Sequence, residues 1–111
     1  MPAPIFSRPF ISHRGLSGGE LRVLVPIDHV YIVRAVAVYA NTGFDTVDLV
    51  FKNFTTGATH YYKQWHPTAR FSDYLDAHIA FSEGQEFGFS VSASSFSDGA
   101  DVFAGGYDLR A

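Results

Sequence analysis

The chain has 111 residues, 17% of them charged and 47% hydrophobic, with a formal net charge of −3. That length holds one domain with one core and leaves no room for separate cofactor and substrate domains. Its eight Lys and Arg are scattered singly, which argues against nucleic acid as a partner, and the absence of cysteine excludes disulfides and thiolate metal sites.

The chain opens with prolines at positions 2, 4 and 9, set among Ile5, Phe6, Phe10 and Ile11. Proline blocks helix and limits ladder hydrogen bonding, so residues 1–19 predict an extended N-terminal arm with hydrophobic anchors, ending in the glycine-rich hinge "GLSGGE". The compact domain is expected over 20–111. The first twenty residues lack the pattern of a signal peptide, and no apolar run reaches the length of a membrane span. The expectation is a soluble, uncleaved chain with no membrane partner.

Beyond the hinge, apolar runs alternate with turn signals such as "NTG", "TTG", "SEGQ" and "SDGAD". Strands are predicted at 20–25, 29–40, 44–54, 58–65, 76–81, 85–93 and 101–110. With eleven Phe and six Tyr, which suit pleated surfaces, this reads as an all-β fold: an antiparallel β-sandwich, jelly-roll or immunoglobulin-like, of seven to eight strands. The run "HVYIVRAVAVY" is apolar in both registers. Val30, Ile32, Val36 and Val38 share one, broken by Arg34, and Tyr31, Val33, Ala35, Ala37 and Tyr39 share the other. Such a strand is central to a packed sheet or meets another chain on its outer face. "DTVDLVFKN" and "EFGFSVSAS" alternate more cleanly, Val50 excepted, with Val47, Leu49, Phe51, Phe87, Phe89 and Val91 predicted to share the core-side register.

Chemistry is sparse. The histidines at 13, 29, 60, 66 and 78 form no ligand-spaced pair with an acidic partner, so no metal site is expected. "SDYLDAH" brings Asp73 and Asp76 near His78, a weak case for a small hydrolase against the plainer reading of a solvated acidic loop. There is no nucleophile elbow and no glycine-rich phosphate loop, so neither an enzyme nor a cofactor is expected. "HYYKQW" is the one local candidate for a binding surface. Tyr61, Tyr62 and Trp65 either stack on a sugar, as in a carbohydrate-binding module, or close the core.

"VPIDHVYIVRAVAVY" resembles the V-P-x-G-x-x-x-V-V-R-x-V-x-V-Y opening of small virion structural proteins of tailed bacteriophages that infect actinobacteria. "ARFSDYLDAHIAFSEGQEFGFSV" and "DVFAGGYDLRA" are similar to that group's later strands, so the resemblance covers residues 20–110. Asp28 stands where the pattern has glycine, and Ala-Gly-Gly replaces its serine before Gly-Tyr. The resemblance implies a capsid decoration or minor capsid protein on the virion surface, made in the host bacterial cytoplasm, with a tail or head-tail component as the alternative. The expected partners are the chain itself, as a homo-oligomer and specifically a trimer, and the major capsid protein or other virion proteins. The arm would make the contact through Ile5, Phe6, Phe10 and Ile11, with Arg8 or Arg14 pairing with carboxylates of the neighbour.

Overall fold

The computed structural model describes residues 5–16, 19–40, 49–55, 60–65, 71–91 and 100–110; of these, the side chains of 5, 6, 60 and 61 lie outside the description. The strands are β1 (Ile5–Leu16), β2 (Gly19–Leu24), β3 (His29–Ala40), β4 (Leu49–Asn53), β5 (His60–Trp65), β6 (Phe71–Ser82), β7 (Glu86–Val91) and β8 (Ala100–Arg110). No helix occurs among the described residues. The strands form two four-stranded antiparallel sheets, ordered β1-β8-β3-β6 and β2-β7-β4-β5. Strands whose numbers sum to nine pair throughout: β1 with β8, β2 with β7, β3 with β6, β4 with β5. The chain is thus one long antiparallel ribbon folded across two layers, and β3–β8 and β4–β7 pairing completes each sheet.

The core between the layers is aromatic. Phe87 of β7 stacks on Phe81 of β6 with ring centroids 4.3 Å apart, and Phe10 of β1 stacks on Tyr31 of β3 at the same distance. Phe87 also meets Phe10 and Phe51 edge-on, at 6.0 and 6.2 Å, so one ring ties both sheets together. Leu49, Phe51, Phe87, Phe89 and Val91 are all buried, as their alternation predicts, and so is Val50; Val47 lies outside the described residues.

The expected arm is corrected by this architecture. Residues 5–16 are an edge strand hydrogen-bonded along β8, and Ile11 and Leu16 lie in the core, so the compact unit includes residues from Ile5 onward. Proline argues only against interior strands. An edge strand leaves half its N–H groups outside the ladder, and Pro9 sits next to a bulge. Gly15, at φ of 74°, lies near the end of β1 and Gly19, at 84°, begins β2, which belongs to the other sheet.

A line of bulges resolves the two apolar registers of β3. Between Val33 and Ala35 the strand advances two residues while β8 advances one, from Gly106 to Gly105. Arg34 is the extra residue, and parity flips across it. Tyr31 and Val33 face the core before the bulge, and Val36, Val38 and Ala40 face it afterwards. The outer face therefore receives Ile32, Ala35, Ala37 and Tyr39. Neither register read from the sequence is the native one, because each switches face halfway. The same line crosses β1, where Phe10 is the extra residue between Pro9 and Ile11 and both Phe10 and Ile11 reach the core. Asp28, two residues after Pro26, adopts φ of 66°, the left-handed region that glycine enters most readily.

Candidate functional site: the outer face of one sheet

Strand alternation and the β3 bulge place a set of large side chains on the solvent face of β1-β8-β3-β6. Tyr74 is 64% exposed, Tyr39 46%, Tyr107 38% and Phe103 36%. Burying such rings is worth more than burying any other side chains, and clusters of exposed aromatics mark contact surfaces. Phe103 divides the face. One depression runs past Pro9, Gly105 and Tyr107, and a second past His13, Tyr39 and Asp101. Arg34 lies at the centre, its Nε donating to the Ala77 carbonyl at 3.1 Å and its guanidinium 5.9 Å from the Tyr107 ring centroid.

The glycine pair of "AGGYDL" makes this surface. A Cβ on Gly106 would overlap the Ile32 carbonyl oxygen, which is backbone, so the bulge line needs glycine there; one on Gly105 would strike the Phe103 ring, which would have to swing aside.

Behind the face, Asp108 is a buried carboxylate. It accepts a hydrogen bond from His29 Nδ1 at 2.6 Å and has an Arg8 guanidinium nitrogen at 3.5 Å, so one carboxylate joins β1, β3 and β8. Arg8, expected to reach a neighbour's carboxylate, is instead paired within its own chain. Of the other arm residues, Ile11 is a core residue, Phe10 stacks on Tyr31, and Arg14 is exposed near the end of β1. Ile5 and Phe6 pair through their backbones with Leu109 and Asp108.

Of the two readings of "HYYKQW", core closure holds for Trp65 and Tyr62. Trp65 is only 4% exposed, and its Nε1 donates to Asp73 Oδ2 at 2.7 Å. Tyr62 is half-buried, 5.8 Å from both Phe51 and Phe81, and the Tyr61 side chain lies outside the described residues. Trp65 and Tyr62 thus close the core, the plainer of the two sequence readings. Asp73 and Asp76 stand on opposite faces of β6, so they do not converge with His78 on one site. No group of three or more His, Asp or Glu suited to a metal occurs among the described residues.

The Trp65 indole, followed by the Tyr74 amide, holds the Asp73 carboxyl below the usual carboxylate range. A depressed folded-state value contributes stability above the ordinary Asp pKa of about 3.9, and that contribution is lost as pH falls through the folded value. Asp73→Asn should therefore flatten the acid limb of the stability curve below about pH 4 while leaving its neutral-pH shape unchanged, as measured by urea denaturation across a pH series. An unchanged acid limb would remove Asp73 as a contributor.

No protein-family model matches this chain, and a search of curated proteins finds no match.

Proposed function

We propose that this chain is a structural protein of a tailed-phage virion, a capsid decoration or minor capsid subunit, and that its sandwich is a jelly roll. The ribbon pairing of β1–β8, β2–β7, β3–β6 and β4–β5 supports the jelly roll, an architecture used by viral capsid and lectin domains. The observation that carries the role is the outer aromatic face, which takes over the contact function expected of the arm. Four large side chains are held there on rigid strands, as suits a subunit that acts by binding flat protein surfaces. The sequence resemblance over residues 20–110 points the same way.

Purified particles of the phage that carries this gene should contain the chain as a stoichiometric component, measured by quantitative mass spectrometry. A Phe103→Asp, Tyr74→Asp variant should fold and be lost from particles. Wild-type occupancy by the variant would sink the reading.

The exposed aromatics also favour a second reading, a carbohydrate-binding module whose platform is Tyr39, Tyr74, Phe103 and Tyr107 rather than the buried Trp65. A glycan array separates the two: binding that Tyr74→Ala abolishes supports it, and a flat array removes it.

A further inference from the structure

We infer that the outer face of the β1-β8-β3-β6 sheet packs against the same face of a second copy, about a two-fold axis that runs parallel to the strands between β3 and β8. This rests on the self-association expected of a particle subunit, and it replaces the three-fold assembly predicted from sequence with a closed dimer.

Size is the first argument. Three of the strands have twelve residues and the fourth eleven. At ~3.3 Å per residue and ~4.8 Å between strands, the face measures roughly 750 Å², close to the ~800 Å² per partner of a standard stable interface.

Shape is the second. Hydrogen-bonded register defines rows across the sheet, and in the row through Phe103 large and small side chains alternate. One row reads Tyr74, Ala37, Phe103, Ser12 from β6 to β1. The proposed axis sets β3 against β8 of the second copy and β6 against its β1. Tyr74 then faces the second copy's Ser12, and Ala37 faces its Phe103. A second row, Ala80, Ile32, Tyr107, Ser7, sets Ala80 against Ser7 and Ile32 against Tyr107. Between these rows Ala35 faces the second copy's Gly105, beside Arg34. In the row through Phe103 knobs fall opposite hollows, the arrangement that close-packed facing layers require, while in the second row Ile32 and Tyr107 meet as an apolar pair.

Charge is the third. On the outer face β1 presents Arg14 and no acid, while β6 presents Asp76 and no Lys or Arg; Arg8 and Asp73 are engaged on the core side with Asp108 and Trp65. A two-fold axis parallel to the strands lays the acidic edge of each copy over the basic edge of the other, with Asp76 brought to the β1 of the second copy. An axis perpendicular to the strands would lay β1 on β1 and β6 on β6, like charge on like.

The chain has no cysteine, which permits a direct test. A Ser12→Cys, Tyr74→Cys variant places two thiols at opposite edges of one face. Treated with a short bis-maleimide, it should give a product that stops at the covalent dimer, because each contact is made twice within one pair. A ladder of trimers and higher products would show head-to-tail contact, and monomer alone would show no such contact; either overturns the proposal. The readout needs no particle. A closed dimer absent from virions would leave this inference standing and the virion reading lost, and a monomer found in virions would do the reverse.

Discussion

Phe87→Ala should destabilise the protein by about 3–5 kcal/mol, the cost of removing a fully buried aromatic whose cavity cannot collapse. The ring has no measurable exposure, stacks on Phe81, and touches Phe10 and Phe51 edge-on. Its neighbours come from both sheets, so a void there loosens the contact that holds the layers together. Relaxation is opposed by the ladders on either side of β7, which pairs with β2 and β4. The loss is measured as a shift in the urea unfolding midpoint at constant slope. A loss below about 1 kcal/mol would mean that the core is not organised around this ring.

Gly106→Ala is the second large effect. A single added methyl would overlap the Ile32 carbonyl, which belongs to backbone and has no rotamer by which to retreat. Overpacking of this kind costs about 1–3 kcal/mol, and more where backbone must move. Straightening the bulge is the way to relieve it. That would return Ala35 and Val36 to the opposite parity and scramble the outer face, so self-association should fail along with stability. Thermal melting and native mass on the same sample check both parts. Wild-type stability in this variant would contradict the bulge line.

How much of this could be read from the chain depends on the element. Turn residues and alternation located most of the strands after residue 20, and "EFGFSV" showed its core face directly, because its parity is unbroken. The first strand was hidden by its prolines, whose meaning depends on whether a strand lies at an edge, a property of the whole sheet rather than of local sequence. The bulge at Arg34 was hidden for a related reason. It arises from a mismatch between β3 and the Gly105–Gly106 pair of β8, some seventy residues further along the chain. A lone arginine in an apolar run and an unexplained Gly-Gly were its only local marks. Once the bulge is placed, Tyr39 belongs with Phe103, Tyr107 and Tyr74, and the surface becomes visible. Trp65 was left undecided between core and surface because its indole N–H finds Asp73 across to β6, a partner that local spacing does not reveal. The Asp108–His29 pair likewise joins residues distant in sequence.

Native mass by light scattering across a concentration series tests most directly whether the outer face of the β1-β8-β3-β6 sheet is a contact surface between copies. The wild-type chain should have twice its 12.2 kDa mass, and the Phe103→Asp, Tyr74→Asp variant should return to a folded monomer. A wild-type protein that stays monomeric at every concentration, or a variant that keeps the mass of the wild type, would contradict such a contact.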